Sequence, residues 1–182
     1  MSNLVVWTQW DDLNVPAGVT LRSPKDFPLE SSDLSQINFY VPTYMGGKAA
    51  LEWAAKMPNL KVLQMPNAGY DDALDYVRPG MTLCNASGVH DASTAELAVA
   101  LALASRRGIP GFVKDQLDGK WNHARRTSLA DSKIGIIGFG SIGKQVAKNL
   151  SGFEVEVIGF SKSGRDGSRK IEELDSFLPT LD

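Results

Sequence analysis

The sequence predicts an α/β protein built on parallel strands, and two observations carry that prediction. Short apolar runs alternate with helical patterns through residues 1–90, the arrangement that produces a parallel sheet with helices on its faces. Further on, the β-branched run Lys133-Ile134-Gly135-Ile136-Ile137 stops at a glycine. A helical pattern follows, with Ile142, Val146, Ala147 and Leu150 on one face, and then a second apolar run from Val155 to Phe160. Strand, helix and strand in that order make a βαβ unit.

The elements of the first ninety residues follow in order. Leu4 to Trp7 reads as a strand, Val19 to Leu21 as a second and Ile37 to Val41 as a third, ended by Pro42. Gly46 to Met57 is helical, with Leu51, Ala54 and Ala55 on its inner face, and Pro58-Asn59 stops it. Leu60 to Met65 and Met81 to Cys84 are the next strands. In open parallel sheets ligands bind beyond the carboxyl ends of the strands, which singles out Pro66-Asn67-Ala68-Gly69-Tyr70-Asp71. A small-residue loop with exposed N–H groups can hold a carboxylate; a plain turn is an equal reading of these residues.

A polar loop from Asn85 to Ala92 leads to Ser93-Thr94-Ala95-Glu96, which fits a capping box. The helix that follows, to Arg107, is apolar almost all round from Leu97 to Ala104, so burial on most sides is expected. A further helix spans about Gly111 to Leu117, before Gly119-Lys120-Trp121. Arg125 to Ser132 reads as a polar linker.

The turn between the two later strands is Gly138-Phe139-Gly140-Ser141-Ile142-Gly143, a G-x-G-x-x-G placed where such a motif binds a dinucleotide. Gly138 allows the tight turn, Gly140 lets backbone approach a pyrophosphate, and Gly143 lets helix and strand pack closely. The diphosphate would rest on the N–H groups at the helix start, around Ser141 and Ile142. An NAD site usually carries an acid at the end of the second strand to hold the ribose hydroxyls. Here Ser161 takes that place, with Lys162 and Arg165 beyond it and no carboxylate in between. Cations and hydroxyls suit a 2′-phosphate, so NADP(H) is favoured and NAD(H) is the alternative. A solvated basic loop, with Asp166 nearby, is the bland reading.

Composition narrows the rest. With 43% apolar and 22% charged residues, the 182-residue chain is that of a globular protein of one domain or two small ones. A net charge of -2 argues against a nucleic-acid partner. Arg106-Arg107 and Arg125-Arg126 read as a solvated helix end and loop. Cys84 is the single cysteine, which excludes an internal disulfide and a cysteine zinc site, and its apolar neighbours mark it as a buried thiol. His90-Asp91 with Glu96 is too loose a set for a metal, and no metal site is expected. Met1-Ser2-Asn3-Leu4 shows no signal peptide and no apolar stretch is long enough for a bilayer, so a cytoplasmic protein without a membrane partner is expected.

Taken in order, Asn67-Ala68-Gly69-Tyr70-Asp71, Asn85 through Thr94-Ala95-Glu96, Gly119-Lys120-Trp121 and Ile136-Ile137-Gly138-Phe139-Gly140-Ser141-Ile142-Gly143 resemble the D-isomer-specific 2-hydroxyacid dehydrogenases, a family that includes glyoxylate/hydroxypyruvate reductases and phosphoglycerate dehydrogenases. The resemblance implies a flavodoxin-like substrate domain over residues 1–90 and the first part of a Rossmann dinucleotide-binding domain over 91–182. It implies NAD(P)H-dependent hydride transfer between a 2-keto acid and a 2-hydroxy acid, and a homodimer. Backbone N–H groups around Ala68, Gly69 and Tyr70 would bind the substrate carboxylate, and Thr94 would face the nicotinamide end of the cofactor.

The family's catalytic set is an Arg that orients substrate and a His–Glu pair that handles the proton. The resemblance places all three beyond the second Rossmann strand, and this sequence reaches Ser176 to Asp182 where the next strand would begin. No catalytic residue is assigned; His90 and His123 are read as structural or solvated. The expectation is of a C-terminally truncated piece that is marginally stable and inactive alone. The alternatives are a non-enzymatic dinucleotide-binding or interaction protein, in keeping with corepressor relatives of the family, and an inactive remnant.

Overall fold

A computed structural model describes residues 4–182; the signal-peptide reading at Met1-Ser2-Asn3 lies outside the described residues. The chain divides into two compact units, residues 1–89 and 90–182.

The first unit holds strands β1 (Leu4–Trp7), β2 (Val19–Arg22), β3 (Phe39–Tyr40), β4 (Val62–Gln64) and β5 (Thr82–Cys84) in one sheet, order β2-β1-β3-β4-β5. Every pairing is parallel, with Val6 opposite Phe39, Phe39 opposite Val62 and Val62 opposite Thr82. This is the flavodoxin-like strand order. Among the described residues of this unit the single α-helix is α1 (Gly47–Ala55), because the stretches joining β1 to β2 and β2 to β3 are rich in Pro, Asp and Ser. The inner face of α1 is Ala50, Leu51 and Ala54, while Ala55 is exposed, contrary to expectation. The helical turn puts 50 and 54 on one line, and 55 falls off its edge.

The core beneath the helix is substantial. Trp7, Ile37, Tyr40, Leu51, Ala54, Met57 and Leu63 are buried together, and the Trp7 and Tyr40 rings lie 5.4 Å apart. The polar tips of the two aromatic rings are met: Trp7 Nε1 donates to the Phe27 carbonyl at 2.9 Å and the Tyr40 hydroxyl to the Ala50 carbonyl at 2.7 Å. Burial pushes the Tyr40 phenol well above its ordinary value. Cys84 is half-buried rather than enclosed, since β5 is the last strand of the sheet and has a neighbour on one side.

The second unit opens with α2 (Asp91–Arg106) and α3 (Ile109–Leu117). Then β6 (Lys133–Ile137), α4 (Ser141–Leu150), β7 (Glu156–Ser161) and β8 (Arg169–Lys170) follow, before a single turn, α5 (Leu174–Phe177). The sheet is parallel in the order β6-β7-β8, with Gly135 opposite Ile158 and Phe160 opposite Arg169. β8 is a strand that the sequence reading missed. Beyond it, Asp182 N–H donates to the Lys133 carbonyl and Lys133 N–H to the Asp182 carboxylate, each at 3.0 Å, so the start of β6 has partners on the side away from β7.

Two expectations for α2 are overturned. The helix begins at Asp91, with Ser93 inside its first turn; the Ser93 hydroxyl donates to the His90 carbonyl, and no side chain caps the helix. The capping-box pattern therefore lies one position set too late to act. Nor is the helix buried on most sides within its unit. Ala95 and Val99 are buried, whereas Leu97 and Leu101 are about three-fifths exposed at 59% and 61%. The packed stripe follows the four-residue spacing from Ala95 to Val99, and Leu97 and Leu101 fall on another face. The linker from Arg125 to Ser132 is also less polar in use than in composition: Leu129 joins Val99 and Leu150 in the core of this unit.

Candidate dinucleotide-binding site

The site grows from the end of β6. Gly138 takes φ +92°, a left-handed turn that a side chain would resist. The N–H groups of Gly138 and Phe139 both donate to the Phe160 carbonyl, at 2.9 and 3.0 Å, which fastens the turn to the end of β7. The chain then enters α4 through Gly140. No side chain caps this helix, so its first N–H groups and the positive end of its dipole face outward. A Cβ on Gly143 would lie 2.3 Å from the Gly138 carbonyl oxygen, so helix and strand meet there at a distance that only glycine permits. A Cβ on Gly140 would meet nothing within 4 Å, because that position looks into open space.

That space is a cleft of about 710 Å³ lined by Ile137, the run from Gly138 to Gly143, Phe160, Ser161, Lys162, Ile171 and Glu172. The residues expected to hold a cofactor are thus brought together at Gly138, Phe139, Gly140, Ser141, Ile142, Gly143, Ser161 and Lys162. Arg165 and Thr94 do not line the cleft. Arg165 sits on the loop between β7 and β8, whose Asp166 pairs with Lys144 at 2.8 Å. The hydrogen bond and charge of the Lys144 ammonium hold the Asp166 carboxyl below the usual carboxylate range. Thr94 is exposed on α2, near the point where the Ser141 hydroxyl donates to Asp91 at 3.3 Å.

The expectation of a cleft without a carboxylate is corrected by Glu172. It arrives from beyond β8, ten residues after Lys162. A two-residue strand of Arg and Lys carries no apolar periodicity, so nothing local announced that the chain would return to the cleft.

Ala68, Gly69 and Tyr70 follow β4 in the first unit. Asn85 Nδ2 donates to the Ala68 carbonyl at 2.7 Å and Ala86 N–H to the Asn67 carbonyl at 3.0 Å, which tie this loop to the one after β5. Tyr70 lines a small depression of about 160 Å³ with Leu83, Cys84 and Asn85. Asn85, which the sequence marks only as the start of a polar loop, is the side chain that ties the two loops together. Among the described residues no cluster of three or more His, Cys, Asp or Glu is placed to hold a metal.

These features coincide with what comparison finds. The profile described as D-isomer specific 2-hydroxyacid dehydrogenase, NAD binding domain, matches residues 99–182. The chain is 32% identical over 127 residues to the hydroxypyruvate reductase of Thermotoga maritima, covering 68% of this chain and 41% of that protein. Its fold matches a D-isomer specific 2-hydroxyacid dehydrogenase family protein from Aeromonas salmonicida with a TM-score of 0.80 at 20% identity, over 100% of this chain and 62% of that one. It also matches the NADPH-dependent glyoxylate/hydroxypyruvate reductase of Sinorhizobium meliloti, solved with NADP and sulfate, with a TM-score of 0.77 at 22% identity, over 98% of this chain and 60% of that one. Residues 99–182 therefore carry the NAD binding domain of the D-isomer-specific 2-hydroxyacid dehydrogenase family, a domain that binds a nicotinamide dinucleotide. It spans about two-fifths of the length of the Thermotoga relative.

Proposed function

We propose that this chain serves an NAD(P)H-dependent reductase of 2-keto acids and binds NADP(H) in preference to NAD(H) in the cleft above β6 and β7. The observation that carries this reading is the uncapped start of α4, set over the turn from Gly138 to Gly143 and open to the cleft at Gly140. The residues fit the cofactor: backbone N–H groups at Ser141 and Ile142 meet a diphosphate, and Lys162 offers a cation to a 2′-phosphate. When bound, the nicotinamide supplies a hydride. The protein's part is to hold it, to exclude water and to present the acceptor carbonyl.

For the substrate, the loop at Ala68, Gly69 and Tyr70 is proposed to receive a carboxylate on its N–H groups. Thr94 is proposed to lie toward the nicotinamide end. Arg165 is proposed as a second cation at the 2′-phosphate, acting from outside the cleft wall. No residue among these 182 is assigned the orienting Arg or the His–Glu pair, so turnover is proposed for the whole enzyme, and binding for this chain. A homodimer is proposed on the apolar side chains left exposed on and after α3, where Leu117 is 84% and Trp121 94% exposed. The single free thiol, Cys84, suits a reducing cytoplasm.

The second reading is a non-enzymatic dinucleotide-binding protein, which the same cleft over Gly138 to Gly143 would serve. Titration of the chain with NADPH and NADH, followed by reduced-nicotinamide fluorescence, tests both. Tighter binding of NADPH supports the cofactor assignment, and equal or weaker binding sinks the 2′-phosphate preference. Oxidation of NADPH by glyoxylate or hydroxypyruvate in the whole enzyme separates the reductase from the binding protein, and no dinucleotide binding at all removes both.

A further inference from the structure

The loop from Ser161 to Ser168 closes on itself through two hydroxyls, and their protons can be traced. Ser168, only 9% exposed, places its Oγ 2.6 Å from the Arg165 carbonyl and 2.7 Å from the Ser161 Oγ. Ser161 Oγ also accepts from the Gly164 N–H at 3.0 Å. A hydroxyl owns one proton. A carbonyl can only accept, so the Ser168 proton goes to Arg165, and the proton between the two serines comes from Ser161. With its proton spent on Ser168, Ser161 has only a lone pair left to offer the cleft.

A phosphate asks for donors. Ser161 therefore stands at the ribose end of the cleft without a donor for a 2′-phosphate, and its own chemistry does not explain a preference for one. What the pair does is fix the loop. Gly164 and Gly167 take φ +63° and +81° within it, and Asp166 is held from outside by Lys144. Lys162, next along the chain from Ser161, is thereby presented at the cleft wall.

We propose that Ser168 is a positioning residue for cofactor choice: through Ser161 it sets the course of the loop that presents Lys162 to a 2′-phosphate, and neither serine touches that phosphate. This rests on the NADP(H) reading above.

The test is a set of titrations with NADPH and NADH on the unaltered chain, Ser161→Ala, Ser168→Ala and the double variant. Each single change should weaken NADPH about tenfold and NADH less than about twofold, and the double variant should bind NADPH no worse than either single, since both break one linked unit. Loss on Ser161→Ala with none on Ser168→Ala makes Ser161 a direct ligand and overturns the proposal. So does equal loss for both dinucleotides, the mark of general loop damage, or a larger loss for NADH, as an acceptor for a ribose hydroxyl would give. If Ser168→Ala does not fold, Ser168→Cys, of similar shape with a weak donor, takes its place under the same criteria. An unaltered chain that prefers NADH, or binds neither, fails the underlying reading instead, and is seen before any variant is compared.

Discussion

Gly143 lies so close to Gly138 that a Cβ on the first would stand 2.3 Å from the carbonyl oxygen of the second. The Gly138 carbonyl and the Gly143 Cα that would carry the Cβ are backbone held at either end of the dinucleotide turn, so neither can yield without opening it. Gly143→Ala should therefore cost about 1–3 kcal/mol of stability, the range for overpacking a tight site, and should abolish NADPH and NADH binding alike. Urea unfolding and cofactor titration of the same sample check both. Retention of normal affinity would mean that the turn does not position the cofactor.

A second close approach links Gly159 on β7 to Phe139 in the turn. A Cβ on Gly159 would fall 2.3 Å from Phe139 Cδ2, so the ring lies flat against a strand position that has no side chain. Gly159→Ala should push the ring, and the turn with it, toward the cleft. The expected loss of dinucleotide affinity is about tenfold, or roughly 1.4 kcal/mol, equal for NADH and NADPH since the change lies away from the ribose. Adding Phe139→Ala to Gly159→Ala should recover most of it. A double variant as weak as the single one would show that the ring is not the element displaced.

Gly138 and Gly143 are legible in the sequence because their constraint is local: a turn of fixed geometry between a β-branched run and a helix demands them at fixed spacing, whereas Gly159 is constrained by the approach of the Phe139 ring. The parallel α/β class was legible for a similar reason, from apolar runs alternating with helical stretches. What escaped notice came from tertiary approach. β8 is two exposed charged residues, without an apolar period of its own. Glu172 reaches the cleft only because β8 pairs with β7. Ser168 is a polar residue buried by the loop it closes. The start of α2 misled in the opposite direction, since Ser93 to Glu96 matches a capping pattern while the helix had already begun at Asp91.

The two cations of the β7–β8 loop should separate on substitution. Lys162 lines the cleft and Arg165 does not, a ranking that their positions along the chain do not reveal. Lys162→Ala should weaken NADPH about tenfold, the scale of a lost charge-assisted hydrogen bond, and leave NADH nearly unchanged. Arg165→Ala should have a smaller effect in the same direction, and one that shrinks further as salt is added. Parallel NADPH and NADH titrations at two ionic strengths measure this. Equal losses for the two dinucleotides on Lys162→Ala would remove the loop from any role in holding a 2′-phosphate.

Tyr40 gives the first unit an alkaline limit. Its phenol is buried, its ionisation is pushed up by that burial from an ordinary value of 10.0, and its hydroxyl donates to the Ala50 carbonyl on α1. The folded chain keeps the proton where the unfolded chain releases it. Stability from this group is therefore complete below pH 10 and is lost as pH rises beyond it, at up to about 1.4 kcal/mol per pH unit for one proton. Tyr40→Phe should cost about 1 kcal/mol at neutral pH through the missing hydrogen bond, and should flatten the decline above pH 10. Urea midpoints followed by tryptophan fluorescence, to which Trp7 beside Tyr40 contributes, at neutral pH and across the alkaline range measure both effects. An unchanged alkaline slope in Tyr40→Phe would assign that limit to another group.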